Sequence, residues 1–145
     1  MIKVRIDIED TSTWGVESER LWASASELGL VLENSPTYAY GYSYKDTVSA
    51  RVVDGQAVVT GVIARGGHST FRILLDEAFD EKRWERYWHP LSEAGCSYES
   101  NEAHTVFAVD VKPTADIRKV ATLLENGEAE GFWQYEDGHI GHSLG

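Results

Sequence analysis

Residues 70–91, TFRILLDEAFDEKRWERYWHPL, contain the change of hydrophobic period that indicates the fold class. The run from Phe71 to Leu75 is mostly apolar and has the length of a buried strand. Asp80 is a suitable N-cap, and four large apolar side chains then follow at i, i+3, i+4 and i+7: Trp84, Tyr87, Trp88 and Leu91. The stretch predicts a strand followed by a helix with a buried aromatic face. Pro90 predicts a kink or an early end near His89.

The same alternation of strand and helix continues toward the C terminus. After a stop at Gly95, residues 96–100 and 104–111 predict a hairpin. A second helix is expected to be capped by Thr114 or Asp116 and to end at Gly127. Phe132 to Tyr135 supply a last strand. This order predicts a ferredoxin-like β-α-β-β-α-β unit with both helices on one face of an antiparallel sheet.

The first half of the chain reads as strands alone. Residues 2–8 alternate apolar and charged side chains, and Asp54-Gly55 joins two further strands as a hairpin turn. We therefore expect an α+β protein in which a small barrel or curled antiparallel sheet packs on the ferredoxin-like unit. The expected parts are a β lobe at 1–69, the ferredoxin-like lobe at 70–137 and a loose tail at 138–145, all within one integrated domain.

The composition indicates the cellular compartment in which the protein is expected. The 145 residues are enough for a substantial core, and no apolar run approaches the roughly 20 residues that a membrane span requires. The N terminus lacks the basic end and apolar block of an export signal. A single cysteine, Cys96, excludes an intramolecular disulfide and suits a reducing compartment. We expect a cytoplasmic protein that does not bind membranes.

The net charge of −11 is concentrated in the second half of the chain. Residues 1–72 hold nine acids and seven bases, whereas residues 73–145 hold fifteen acids and six bases. Such a field repels nucleic acid and favours a basic protein partner. The alternative is an acidic surface that only maintains solubility. The acids that follow the last basic residue are the candidates for partner binding: Glu125, Glu128, Glu130, Glu136 and Asp137.

Four tyrosines alternate with small residues between positions 38 and 44. In an extended chain they would share one face, and tyrosine favours interfaces because it combines a large apolar area with a hydroxyl. The alternatives are packing against the second lobe or inside a barrel, or a bend at Gly41 that breaks the stripe. The candidate contact residues are Tyr38, Tyr40, Tyr42 and Tyr44.

The segment Gly66 to Thr70 contains the only candidates for chemistry that the pattern offers: His68, Ser69 and Thr70. Two glycines admit a ligand to the backbone, while the other three supply a titratable ring and two hydroxyls. Neighbours in a strand point in opposite directions, which favours a bend or bulge over a catalytic set. We predict no catalytic residues beyond these weak candidates, so the chain is interpreted as leaning away from enzyme function.

Metal and cofactor sites are not predicted. His139 and His142 have i, i+3 spacing, but a zinc site needs further ligands held rigidly. Cys96 lacks a second cysteine nearby and is expected to be a small buried residue.

Short motifs in a fixed order resemble a bacterial family known only as a domain of unknown function. The motifs span roughly residues 20–135 and are, in order, Leu21-Trp22-Ala23, Glu33-Asn34-Ser35-Pro36 leading to Tyr40-Gly41 and Asp46-x-Val48, Gly67-His68-Ser69-Thr70-x-Arg72, Gly95-Cys96-x-Tyr98-Glu99 and Ala108-Val109-Asp110-Val111. The Lys112 that precedes Pro113 departs from the family pattern. The resemblance implies a single domain and brings no activity, cofactor or site residue.

Three functional hypotheses remain open from the sequence. The first is a non-catalytic binding protein, such as an inhibitor or immunity-type protein for a basic, nuclease-like partner. The second is a small enzyme or ligand-binding domain centred on Gly66–Thr70. The third is a regulatory module that binds a metabolite between its two lobes.

Overall fold

A computed structural model describes residues 1–11 and 13–144. Ser12 and Gly145 lie outside the described residues. The elements follow the order β1 (Ile2–Asp7), β2 (Ser18–Ala25), β3 (Leu30–Leu32), β4 (Thr47–Val53), β5 (Gln56–Ala64), β6 (Ser69–Leu74), α1 (Glu81–Glu93), β7 (Cys96–Ser100), β8 (Val106–Val111), α2 (Ile117–Ala129) and β9 (Gln134–His139). The protein is therefore α+β, as predicted. Neither helix is long and apolar enough to cross a lipid bilayer, within the described part of the chain.

Strands β1 to β5 close into a barrel. Successive strands pair antiparallel, and β1 pairs with β5 in parallel to complete the closure. Its interior is aliphatic, with Val4, Leu32 and Val48 fully buried. The predicted hairpin turn is confirmed, because Asp54 and Gly55 join β4 to β5 with φ of 50° and 79°. The expectation of a small β-barrel in the first half is correct.

The second sheet has four antiparallel strands in the order β7-β8-β6-β9. Both helices pack on it and share one aromatic and aliphatic core. The predicted mutual burial is confirmed for all five named side chains: Trp84, Trp88, Ile117, Val120 and Leu124. The indole of Trp84 stacks on Phe107 with ring centroids 4.1 Å apart, so α1 is fixed directly to the central strand β8.

The helix starts agree with the predicted caps, and α1 ends directly before the predicted stop at Gly95, whose φ is 101°. Asp80 and Asp116 each accept backbone N–H bonds at an N terminus. The early end predicted near His89 is wrong, since α1 continues to Glu93. Pro90 lies on the exposed face, so its missing N–H removes a bond only on the solvent side while Leu91 stays fully buried.

The predicted end of α2 at Gly127 is also wrong, because this glycine serves packing. The helix continues to Ala129. A Cβ at residue 127 would lie 2.7 Å from Cζ2 of Trp133 and closer still to Cε2 and Nε1. Gly131, with φ of 76°, follows the helix end instead.

The last strand starts and ends later than the sequence indicated. It begins at Gln134 and extends to His139, so two residues of the predicted loose tail belong to the sheet. Two backbone groups on the outer edge of β9 are already bonded. The Tyr135 N–H donates to a carboxylate oxygen of Glu128 at 3.0 Å, and the Gly41 N–H donates to the Gly138 carbonyl at 3.0 Å.

Candidate binding surfaces

Polar side chains fill the region between the barrel and the second sheet. The helices cover only one face of that sheet, and the opposite face carries hydrophilic residues toward the barrel. Seven polar or charged residues are buried: Ser35, Ser43, Asp46, Ser69, Thr70, Arg72 and Asp110. Buried groups of this kind require partners. The interface is therefore organised by hydrogen bonds, and most of these involve the connection between β3 and β4.

This connection, residues 33–46, is bound by charged groups from both sheets. The Glu19 carboxylate on β2 accepts the backbone N–H groups of Thr37, Tyr38 and Ala39 at 2.7–2.8 Å. From the other side, Arg72 on β6 donates through Nε to the Thr37 carbonyl at 2.6 Å and through Nη2 to the Ala39 carbonyl. A carboxylate and a guanidinium thus fix the same three residues.

Arg72 is completely buried and lies beside an aromatic and acidic pair. The guanidinium carbon of Arg72 lies 4.6 Å from the centroid of the Tyr40 ring, and the Tyr40 hydroxyl donates to a carboxylate oxygen of Glu136 at 2.7 Å. Burial lowers the pKa of Arg72, opposed by the charge of Glu136. Burial, reinforced by Glu136, raises the pKa of Tyr40. Tyr40 and Glu136, two predicted contact residues, are therefore held together at the edge of the interface.

The three candidates for chemistry each have a separate partner. His68 Nδ1 lies 2.9 Å and 3.1 Å from the Asp110 carboxylate oxygens. Burial is the main cause that raises the pKa of Asp110, opposed by His68. The Thr70 hydroxyl bonds the Ser43 hydroxyl at 2.7 Å. His68 and Ser69 therefore do not form a nucleophile–base pair, consistent with the alternation of side chains along a strand.

The Ser69 hydroxyl is fully buried and forms three hydrogen bonds. It bonds Nδ1 of His142 at 2.6 Å and accepts the backbone N–H groups of Gly141 at 2.8 Å and His142 at 3.2 Å. Nε2 of His142 donates to the Lys112 carbonyl at 2.7 Å. The segment predicted as a loose tail is thereby attached to the start of β6 through His142. Ser69 serves as a structural anchor in this arrangement.

The tyrosine stripe does not form, because residues 38–44 are irregular rather than extended. Gly41 has φ of 86°, and the four rings contact different neighbours. The ring centroids of Tyr38 and Trp14 are 5.7 Å apart, and the Tyr44 ring contacts the His68 ring edge-on with centroids 5.2 Å apart. Tyr42 packs against the barrel core, where burial raises its pKa. Only Tyr40 is exposed, at 46%.

One of the predicted acidic residues, Glu128, lines a groove that sequence analysis did not anticipate. We call it the acidic groove: a cavity of about 670 Å³ lined by Asp76, Glu77, Glu128, Gly131, Phe132, Trp133, Gln134 and Tyr135. Burial raises the pKa of Tyr135, and the charges of Glu125, Glu128 and Asp137 raise it further. Three of the five predicted acids therefore act on one phenol. Glu136 bonds Tyr40, and Glu130 lies 3.4 Å from the Tyr87 hydroxyl.

The remaining candidates have the following positions. Cys96 is buried, and burial raises the pKa of its thiol to about 12. Burial also lowers the pKa of His139, which lies in β9. Among residues 1–11 and 13–144 no group of three or more His, Cys, Asp or Glu side chains is placed to hold a metal ion.

Residues 19–135 match the family described as "Domain of unknown function (DUF4265)". The chain belongs to the DUF4265 family. No curated protein matches the sequence. This DUF4265 domain is similar to a solved structure described as a hypothetical protein from Neisseria gonorrhoeae, with a TM-score of 0.80 and 15% sequence identity over 99% of both chains. That likeness concerns the fold alone.

Three residues that organise the interface of this DUF4265 domain had no assigned role in the sequence analysis. Arg72 and Asp110 each interrupt an apolar strand, and Glu99 bonds Asn34 and the Ser35 N–H. A charged residue inside a buried strand needs a partner, so this pattern was the available signal. The partners come from distant loops, which the local pattern cannot identify.

Proposed function

We propose that this protein is a non-catalytic binding domain whose acidic groove receives a basic protein, and that it acts as an inhibitor or immunity-type protein for a nuclease-like partner in the cytoplasm. The observation that carries the proposal is the lining of the groove, in which Asp76, Glu77 and Glu128 accompany Tyr135. The exposed Glu125 and Asp137 add negative charge that acts on the same residue. Asp76 extends the same negative surface, whereas Glu77 is paired with Arg83. An aromatic ring surrounded by carboxylates is suited to a lysine or arginine side chain.

The charge balance of the groove supports this proposal. Its lining contains no lysine or arginine, although Arg83 contacts two lining residues: its Nη1 lies 2.6 Å from a carboxylate oxygen of Glu77, and its Cζ lies 5.0 Å from the Phe132 ring centroid. Glu125 and Asp137 are exposed. A surface of one sign accelerates encounter with an oppositely charged partner by about 10–10³-fold. Dispersed acids that only maintain solubility would not converge on one ring.

The alternative, a site centred on Gly66–Thr70, has less support from the geometry. Ser69 and Thr70 are fully buried, and their hydroxyls are engaged with His142 and Ser43. None of the side chains of His68, Ser69 and Thr70 lines the acidic groove. A His68→Ala variant is therefore expected to change stability without affecting binding.

We further propose that residues 69–139 form a ferredoxin-like unit. Support comes from the strand order β7-β8-β6-β9, from the antiparallel pairing throughout, and from helices that connect β6 to β7 and β8 to β9. In this arrangement the groove lies at the start of the outer strand β9.

The binding proposal is tested by capture followed by kinetics. Immobilised protein is exposed to a lysate of its source organism at low salt, and each captured protein is purified and measured by surface plasmon resonance. We expect a protein of high isoelectric point whose association slows as the Debye length falls from about 10 Å at 0.1 M to about 3 Å at 1 M salt. The double variant Glu125→Lys/Asp137→Lys should reduce the association rate about tenfold and change dissociation less.

The matched control is Glu27→Lys/Glu102→Lys. These acids are also exposed, lie in turns outside the groove and give the same change of net charge. Equal slowing by both double variants would show that net charge alone acts and would refute a specific groove. Capture of only neutral or acidic proteins would refute the basic partner.

A further inference from the structure

A second groove, whose lining contains two basic and two acidic side chains, lies between the barrel and the edge of the second sheet. Its volume is about 390 Å³, and its lining combines the outer face of β1 and β2, the start of the β3–β4 connection and the end of β7. We call it the interlobe groove. The lining residues that matter here are Lys3, Arg20, Trp22 and Tyr38, with Glu19 and Glu99 at the base.

The two carboxylates of the interlobe groove are already used by the fold. Glu19 accepts three backbone N–H groups of the connection. Glu99 accepts Nδ2 of Asn34 at 2.8 Å and the Ser35 N–H at 2.7 Å. Their oxygens point to internal donors, so they are not available to bind a cation in the groove.

Arg20 remains available, and Lys3 lies over one face of the Trp22 ring without a carboxylate partner. Arg20 is exposed, and its guanidinium has no hydrogen bond or ion pair with any side chain or backbone group that the structure describes. Lys3 lies opposite Trp22 in the β1–β2 register, with Nζ 4.3 Å from the indole centroid. Neither cation is paired with a carboxylate, although the protein as a whole carries a net charge of −11.

Aromatic surface lies next to these cations. The Trp22 side chain is 41% exposed although it belongs to a regular strand, and Tyr38 is half-buried on the facing connection. Lys3 covers one face of the indole, and the rest of the exposed ring offers a stacking surface near the anion-binding donors of Lys3 and Arg20. The groove therefore offers contacts both to a planar ring and to a negative group.

We propose that the interlobe groove binds a nucleoside monophosphate, with its base against Trp22 and Tyr38 and its phosphate at Lys3 and Arg20. The volume is that of a small-molecule site. A polynucleotide is disfavoured, because the excess of acids in residues 73–145 repels an extended phosphate backbone. A ligand with one phosphate is confined to the cationic part of the surface.

The test is isothermal titration calorimetry of the full chain with AMP, adenosine and inorganic phosphate as separate probes. We expect AMP to bind with a dissociation constant on the order of 0.1 mM, as suits an open groove. Adenosine and phosphate should each bind at least about tenfold more weakly, because each lacks half of the contacts.

Two variants and one matched control locate the site. Arg20→Ala and Trp22→Ala should each weaken AMP binding about tenfold, with thermal unfolding used to check that both variants fold. The control is Arg51→Ala, which removes an exposed arginine from β4 outside the groove and should leave binding unchanged. Equal loss in all three variants would overturn the assignment, as would AMP binding no tighter than phosphate alone.

The competing ligand is distinguished in the same experiment. A twelve-nucleotide single-stranded DNA is titrated as a further probe. The mononucleotide proposal would be overturned if this DNA binds more tightly per molecule than AMP and shows the salt dependence of several phosphate contacts. Glu125→Lys/Asp137→Lys should bind AMP like the wild-type protein. A failure of AMP to bind would therefore not affect the acidic-groove proposal. A failure of the acidic groove to bind a basic protein would likewise not affect the AMP proposal.

Discussion

Replacement of Gly127 by alanine is expected to destabilise the protein, although alanine is the better helix former. In an exposed helix the change would gain about 1 kcal/mol. Here the new methyl group would meet the rigid indole of Trp133, which is 3% exposed and cannot move into solvent without leaving the core. Overpacking of this kind costs about 1–3 kcal/mol or more.

The hydrogen bond of the indole adds to that cost. Trp133 Nε1 donates to the Leu124 carbonyl at 2.8 Å, and a displaced ring would lose about 1 kcal/mol from this buried bond. We expect Gly127→Ala to lower the free energy of unfolding by about 3 kcal/mol. Urea denaturation followed by tryptophan fluorescence and far-UV circular dichroism measures this change.

Asn126→Ala is the matched control. Asn126 is the preceding residue of the same helix and is exposed. Its replacement by alanine increases the helix propensity and places no new group against Trp133. It should be neutral or slightly stabilising. If Gly127→Ala is as stable as this control, the close packing of α2 on Trp133 is not the reason for a glycine at this position.

Four further outcomes are expected. Trp88→Ala should cost about 3–5 kcal/mol in urea denaturation, and a loss below about 1 kcal/mol would contradict its place in the core. Glu19→Gln should cost about 2 kcal/mol, because an amide N–H₂ would face backbone donors; unchanged stability would show that the carboxylate is not needed there. The Cys96 thiol should react with a disulfide reagent only as fast as the protein unfolds, since burial raises its pKa to about 12; rapid native-state labelling would disprove this. Burial raises the pKa of Asp110 in the folded state, so the protonated side chain contributes stability at low pH that is lost as the pH rises through the folded-state pKa. The free energy of unfolding of the wild-type protein relative to Asp110→Asn should therefore increase as the pH falls from about 7 to about 4. A difference that does not change with pH would refute this expectation.

Local patterns were sufficient for most of the elements because their causes are local. The hairpin turn at Asp54-Gly55 and the caps at Asp80 and Asp116 depend on neighbouring residues only. The end of α2 and the early end offered for α1 were wrong because Gly127 and Pro90 were interpreted as helix breakers, whereas the stop at Gly95 was correct. Their actual roles depend on solvent exposure and on Trp133, which is visible only after packing is known.

The binding surfaces were harder to predict from the sequence, because they also depend on contacts between distant residues. The alternation of tyrosines assumed an extended chain, but the connection is held in an irregular path by Glu19 and Arg72. The acidic residues were identified correctly as an excess, yet their convergence on Tyr135 requires β9 to lie beside α2. Neither relation is encoded within a short window of sequence.

The edge of β9 has a consequence for the behaviour of the protein at high concentration. An open strand edge is a template on which a second chain can extend the sheet, which leads to aggregation. Here the Glu128 carboxylate occupies the Tyr135 N–H, and the Gly41 N–H occupies the Gly138 carbonyl. Asp137, exposed between these two positions, adds like-charge repulsion between approaching copies. The β9 edge is therefore protected against pairing with a second chain, and removing the Glu128 carboxylate would free the Tyr135 N–H at this edge.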